Sequence, residues 1–262
     1  MSEYSSLTTD QKIERMDQFL TELRREKNPY YDPTYDLSPF VRPFAQTRVY
    51  LAHSEKDKLA WMVFDFILQI EYVNTYFGTQ NSILDSARFK AKGWGSPANH
   101  TSYNALTQAV IVGSRIEFER LMRLIFFAFS GAEIEGDSTF FAFKKWLFEC
   151  NELDDRVYLI PFLKICREHD EKYRTAEIHT GSKLKAKTLA LLEHDSDEQN
   201  KMMELHNCVG NLWRSIIPLL NHERPSSASG VAGFDLTWLS KYVGKQQGEL
   251  ADLIQEWKES IR

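Results

Sequence analysis

The stretch LAWMVFDFILQIEYVNTYF, residues 59–77, decides the fold class. Apolar side chains recur along it at spacings of three and four, which predicts a helix. They cover nearly every side of that helix, so it has no clearly polar face to turn toward water. We therefore predict that this helix lies at the centre of a helical bundle.

A second apolar run, residues 109–129, keeps the same helical spacing but carries Arg115, Arg120 and Arg123. Three arginines near the middle of a bilayer segment would be very costly. The first run likewise contains Asp65. Both runs are better explained as core helices, and we expect no membrane partner.

The rest of the chain also follows helical spacing, and no segment alternates polar and apolar residues as a strand would. A content of 12 Gly and 8 Pro in 262 residues also disfavours an all-β fold, which needs many turns. We predict an all-α fold, an irregular multi-helix bundle of about seven to nine helices around central helices near 57–77 and 102–129. No linker divides the middle, so residues 1–262 are predicted to form a single domain, with a Pro- and aromatic-rich strap at 28–44 and a flexible loop at 224–233.

Particular residues mark the expected helix ends. The residues 53–56 interrupt the helical pattern that begins near Ala45. Gly78 and Gly131 each follow an apolar helical run, and glycine is favoured just past the C-terminus of a helix. We predict that the first central helix ends at Gly78, that a short helix covers 82–92, and that the second central helix ends at Gly131.

The composition limits the class of protein. The net charge is −5, whereas a domain that binds nucleic acid over its whole surface is usually basic. The three cysteines, Cys150, Cys166 and Cys208, form no C-x-x-C pair, which predicts reduced thiols. The first residues are polar and acidic and do not resemble a signal peptide. These features together predict a cytoplasmic location.

The best-known cofactor and catalytic motifs are missing. Gly181-Ser182-Lys183 lacks the upstream glycine and the preceding strand of a phosphate-binding loop. The seven histidines include no H-x-x-x-H pair and no E-x-x-H sequence, which are helical metal-binding patterns. No G-x-S-x-G sequence marks a hydrolase. We therefore predict no cofactor and no metal site.

The polar stretch EKYRTAEIHTGSKLKAKTL, residues 171–189, is the strongest candidate for a functional site. Arg174 is followed five positions later by His179, with Glu177 between them. This R-x(4–6)-H spacing resembles the motif of the helical ribonucleases called HEPN domains, and residues 48–53 repeat it. The resemblance implies that His179 moves protons at the attacking 2′-hydroxyl and that Arg174 stabilises phosphate charge. In this hypothesis Glu177 and Lys183 assist them.

This stretch overlaps the most basic part of an acidic protein, residues 164–187, which contain seven Lys or Arg against four Asp or Glu. A phosphate-bearing partner is attracted to such a region. A helix that begins at the Thr-Gly-Ser step would add free N–H groups that favour an anion. The alternative is that the lysines only keep a surface helix soluble. The predicted anion-binding residues are Lys172, Thr180, Ser182, Lys183, Lys185 and Lys187.

Asp65 lies among apolar positions of the first central run. A buried carboxylate needs a cationic partner, because an unpaired charge in the core is costly. The arginines of the second central run can supply that partner. We predict a buried ion pair between Asp65 and Arg115, Arg120 or Arg123, which would fix the helix register more than it would add stability.

The sequence is compatible with two functions. The first is a helical protein that acts by binding a partner, in a regulatory or interaction role, through a protein partner or self-association. The alternative is a HEPN-like, metal-independent ribonuclease or nucleotide-processing enzyme that uses Arg174 and His179 on RNA or another phosphate-bearing ligand. The lack of a dense catalytic motif favours the binding role over an enzyme.

Overall fold

A computed structural model describes residues 6–25, 41–89, 97–135, 138–149, 159–174, 203–220 and 249–261. These ranges contain nine α-helices, one π-helical turn and no strand, which confirms the predicted all-α multi-helix fold. The helices are α1 (Thr9–Arg25), α2 (Val41–Ala45), α3 (Arg48–Ala52), α4 (Lys56–Phe89), α5 (Pro97–Ser130), α6 (Thr139–Glu149), α7 (Leu159–His169), α8 (Glu204–Leu220) and α9 (Leu250–Ile261), and the π-helical turn Asp170–Arg174 continues α7.

The centre of the fold is an antiparallel pair formed by α4 and α5. Each helix has 34 residues and is therefore about 51 Å long. They approach closely at Gly113, where an added Cβ would lie 2.7 Å from Cγ2 of Val73. This arrangement confirms the two predicted central helices. Within the part of the chain that the structure describes, no helix combines the length and apolar character of a membrane span.

The helix ends agree with the prediction at two places and differ at a third. A break at residues 53–55 separates α3 from α4, and Gly131, with a φ of 69°, follows the end of α5. The predicted end at Gly78 is wrong, because α4 continues through this glycine to Phe89. Gly78 is buried, so packing around this long helix outweighs the roughly 1 kcal/mol that glycine costs in a helix interior.

The outer helices join this pair through aromatic contacts. Trp213 of α8 is fully buried, stacks on Phe44 of α2 at 5.6 Å between ring centroids and meets Phe66 of α4 at 5.2 Å. The ring centroids of Phe118 of α5 and Phe162 of α7 lie 4.4 Å apart. Large rings bury much apolar area, so these contacts fix α2, α7 and α8 against the central pair.

Of the predicted strap, residues 28–40 lie outside the described ranges, and the flexible loop at 224–233 does so entirely. Residues 41–44 belong to α2 and are helical, whereas the prediction had them extended. Pro43 stands in the first turn, where its missing N–H leaves no helical hydrogen bond unmade. The side chain of Asp17 accepts hydrogen bonds from the N–H groups of Val41 at 2.9 Å and Arg42 at 3.3 Å, which ties this helix to α1.

Candidate functional site: the arginine groove

A groove of about 440 Å³ opens between the first turns of α6, the middle of α5 and the π-helical turn after α7. Its volume is within the usual range for small-ligand sites. A π-helical turn is rare, and such turns are frequent at functional sites. We call this feature the arginine groove, and it is lined by Arg115, Ser138, Phe140, Phe141, Lys144, Arg167, Asp170, Glu171 and Arg174.

Arg115 is the fixed cation at the back of the arginine groove, with only 7% of its surface exposed. Its Nε lies 2.9 Å from both carboxylate oxygens of Asp170, and its Nη1 lies 3.0 Å from Oε1 of Glu119. The guanidinium carbon also stands 5.0 Å from the centre of the Phe118 ring. Two carboxylates and a ring face thus hold Arg115 in place and offset its charge.

The other three cations differ in how far they are already paired. Nε of Arg167 donates to Glu171 at 2.9 Å. Nη1 of Arg174 lies 3.8 Å from Oδ2 of Asp170, which is beyond hydrogen-bond distance. Lys144 has no carboxylate partner among the described residues. Arg174 and Lys144 are therefore the two cations of the groove that donate no hydrogen bond to a described carboxylate, whereas Arg167 is paired with Glu171.

The first turn of α6 adds a backbone contribution to the arginine groove. The carbonyl of Ser138 accepts the first helical hydrogen bond, from Ala142 at 3.1 Å, so Ser138 occupies the N-cap position. The N–H groups that follow have no partner within the helix, and the helix dipole there favours negative charge. The Thr139 hydroxyl accepts a hydrogen bond from Nε of Arg123 at 3.1 Å, which anchors this end of α6 to α5.

Among the described residues, Arg174 is the one predicted catalytic or anion-binding residue that lines the arginine groove, and Arg115, predicted as a partner of Asp65, lines it too. Lys172 belongs to the same π-helical turn but lines a separate small cavity beside His169 and Glu204. The other predicted catalytic and anion-binding residues lie outside the described ranges. These are Glu177, His179, Thr180, Ser182, Lys183, Lys185 and Lys187.

The structure differs from the prediction of a buried ion pair at Asp65. The Asp65 side chain is 54% exposed and pairs with Nη1 of Arg120 at 2.9 Å. Arg115 and Arg123 are engaged elsewhere, with Asp170 and Thr139. The physical reason is the helical period, because apolar sequence neighbours of Asp65 point to other sides of α4. A surface pair of this kind adds little stability.

The second R-x(4–6)-H match, at residues 48–53, has a structural explanation. The Nδ1 atom of His53 accepts a hydrogen bond from the N–H of Glu55 at 3.1 Å. The other ring nitrogen, Nε2, can then donate to the carbonyl of Phe127 at 3.3 Å. One ring nitrogen therefore stabilises the break between α3 and α4, and the other links this break to α5.

A buried polar network lies outside every sequence prediction. Nδ1 of His206 lies 2.9 and 3.0 Å from the two carboxylate oxygens of Glu117, and its Nε2 lies 2.9 Å from Oδ1 of Asn74. Glu117 and His206 are completely buried. Burial raises the pKa of Glu117, and His206 opposes that rise. The imidazole and the carboxyl group therefore satisfy each other inside the core.

His169 lies behind the arginine groove, at the junction of α7 and the π-helical turn. It is 3% exposed, and neither ring nitrogen has a hydrogen-bond partner among the described residues. Burial, together with the smaller effect of the nearby charges of Arg115 and Arg174, lowers the pKa of His169 to about 3. The ring is therefore neutral near pH 7. It borders a cavity of about 10 Å³, which is close to the space that one water needs.

The described residues include no group of three or more His, Cys, Asp or Glu side chains that could hold a metal ion. Cys166 and Cys208 are buried free thiols. Burial raises the pKa of both thiols, so they stay protonated near pH 7 and are poor nucleophiles. The arginine groove remains the best-supported site in these ranges.

Fold and groove together define an all-α protein with a concave, arginine-lined site at one side of its central helix pair. Comparison with protein families, with curated proteins and with solved structures finds no significant match to this chain.

Proposed function

We propose that this chain is a helical binding protein whose arginine groove takes a phosphate-bearing partner. The observation that carries the proposal is the position of Arg174 and Lys144. They come from the π-helical turn and from α6, and they line one concave groove behind which Arg115 is fixed. Phosphate oxygens accept charge-assisted hydrogen bonds from such groups, and the planar arginine fork can make two at once.

Binding is better supported than catalysis by what lines the arginine groove. Its described residues include cations, carboxylates, a serine and two phenylalanines, but no histidine and no cysteine. A phosphate-transfer site would also need a group to move protons near neutral pH. The expectations of a protein partner or self-association, and of a cytoplasmic location, stay predictions.

The test is a calorimetric titration of the full chain with pyrophosphate at low ionic strength. We expect Arg174→Gln and Lys144→Gln each to weaken binding by about tenfold or more, because each removes a hydrogen bond to a charged group. Binding should also weaken as salt is added.

Lys145→Gln is the matched control for Lys144→Gln. Lys145 is the next residue of α6, has an exposed side chain, lies 3.9 Å from Glu149 and lines a different groove. The charge change is the same in both variants. An equal loss of affinity in the two variants, or no binding of pyrophosphate by the wild-type chain, would contradict the proposal.

Metal-independent RNA cleavage is the second candidate function, supported by the place of Arg174 in the arginine groove. In this proposal Arg174 holds the phosphate and His179 moves protons. The test is an RNA-cleavage assay in the presence of EDTA. Loss of cleavage in both Arg174→Gln and His179→Ala, with normal cleavage in His53→Ala, supports it. The lack of any cleavage by the wild-type chain rules it out.

A further inference from the structure

Phe141 gives the arginine groove an exposed aromatic surface. It is 66% exposed, more than any other large hydrophobic side chain among the described residues. It lies in the first turn of α6 and lines the groove together with Arg174 and Lys144. Exposing a phenylalanine to water is unfavourable, so a position that combines such a ring with available cations points to a ligand that covers both.

The ring of Phe141 is held by its neighbour and still has a face available. The ring of Phe140 lies 5.7 Å away at an angle of 89°, and a perpendicular contact occupies at most one face of either ring. Phe140 in turn packs near Phe118 of the core, with 6.2 Å between ring centroids. Phe141 therefore stands on a supported platform on which a flat group can stack.

We propose that the ligand of the arginine groove is a ribonucleotide, free or within single-stranded RNA, an inference that rests on the proposed function. Its phosphate binds Arg174 and Lys144, and its base stacks on Phe141. Stacking on an aromatic side chain tolerates every base, because each base has a π-face. A ligand with phosphate alone would leave the exposed ring uncovered.

The carboxylates of the arginine groove favour this ligand over other anions. Asp170 and Glu171 line it, and each of their oxygens that accepts from an arginine keeps a second lone pair. Ribose hydroxyls and exocyclic amino groups are neutral donors that can use these acceptors. A phosphopeptide rich in acidic residues would instead be repelled by them.

Three probes separate the parts of this inference, namely AMP, ribose 5-phosphate and inorganic phosphate, each titrated into the full chain. We expect AMP to bind about 5- to 150-fold more tightly than ribose 5-phosphate, which corresponds to one stacking contact. Phe141→Ala should remove this difference and leave the affinity for ribose 5-phosphate unchanged. Phe141→Trp should keep it.

Arg174→Gln should weaken the binding of all three probes. Because Phe141 is exposed, its variants are expected to fold, and far-ultraviolet circular dichroism checks that they do. If ribose 5-phosphate and inorganic phosphate bind but AMP binds no more tightly than ribose 5-phosphate, the nucleotide inference fails and the proposed function stands. If no probe binds, both fail. Tighter binding of phosphotyrosine than of AMP would overturn the inference in favour of a phosphopeptide.

Discussion

The buried network of Asn74, Glu117 and His206 and the arginine groove are built from similar groups but differ in access to water. The network is shut off from water, and its acid and base satisfy each other at 2.9 to 3.0 Å, while the side-chain nitrogen of Asn74 has no partner among the described residues. In the arginine groove, Asp170 fixes Arg115 while Arg174 remains 3.8 Å away. An acid–base pair with its donors satisfied holds the fold, whereas a cation with donors to spare can hold a ligand.

The largest expected effect comes from breaking the buried network. We expect His206→Ala to lower the free energy of unfolding by about 3–5 kcal/mol, because it leaves the carboxyl of Glu117 buried without its partner. Urea denaturation followed by circular dichroism measures this loss.

The control is the double variant Glu117→Leu/His206→Leu, which removes both polar groups and keeps much of the volume. We expect it to be more stable than His206→Ala, because no buried carboxyl is left without its partner and Asn74 loses the same contact with the imidazole in both variants. A loss below about 1 kcal/mol in His206→Ala would show that the network is not closed as described.

The next effect concerns pH and His169. Its pKa is about 3 in the folded chain and near 6.5 in the unfolded chain, so the unfolded state binds the proton first as pH falls. The stabilising contribution is fully present above about pH 6.5 and is lost as pH falls toward 3, by at most about 1.4 kcal/mol per pH unit. Urea denaturation at pH values between 6.5 and 4.5 measures this slope.

His169→Gln provides the comparison, because glutamine does not titrate. We expect the unfolding free energy of this variant to depend less on pH than that of the wild type in the same interval. Contributions from the carboxylates, including Glu117, are present in both chains and cancel in the difference. Parallel pH curves for the two chains would mean that the ring of His169 is reached by water.

A third effect concerns the packing of α4 against α5, the helix pair that supports both the buried network and the arginine groove. Gly113→Ala places a methyl group 2.7 Å from Cγ2 of Val73, whose branched side chain has few rotamers to escape into. We expect a loss of about 1–3 kcal/mol in unfolding free energy, although alanine is the better helix former by about 1 kcal/mol. The measurement is again urea denaturation.

The double variant Gly113→Ala/Val73→Ala tests the cause of that loss. If the clash is responsible, the Gly113→Ala change should cost less in a chain that already carries Val73→Ala. Equal costs in the two backgrounds would mean that α4 and α5 separate freely at this crossing. Arg115 and Glu117 follow Gly113 on α5, so such a movement would reach both regions.

The sequence predicts the frame of this molecule better than its sites. The two central helices follow from residues 59–77 and 109–129, since all-round apolar patterning requires burial. The predicted helix end at Gly78 was wrong because helix propensity is a local property, whereas the continuation of α4 depends on what packs around it. The predicted burial of Asp65 was wrong because residues adjacent in sequence point to different sides of a helix.

Which residues come together in the buried network and in the arginine groove depends on contacts between segments that are distant in the sequence. His206 and Glu117 are 89 positions apart, and no spacing rule connects them. The basic stretch near Arg174 contributes one wall of the arginine groove, but Arg115 and Lys144 reach that groove only because α5 and α6 pack beside the π-helical turn. A glutamate inside an apolar run was the one sequence signal for Glu117, and it did not identify the partner.

The smallest expected effect separates the two regions most directly. Lys144→Gln and Phe141→Ala should each change the free energy of unfolding by no more than about 0.5 kcal/mol, because neither side chain is buried in the core. The same variants are expected to lose affinity for pyrophosphate and for AMP, respectively. We therefore expect groove variants to change binding without changing stability, whereas the His206 variant is expected to lose stability. If Phe141→Ala instead destabilised the chain by 2 kcal/mol or more, as core truncations do, its ring would belong to the fold rather than to a ligand site.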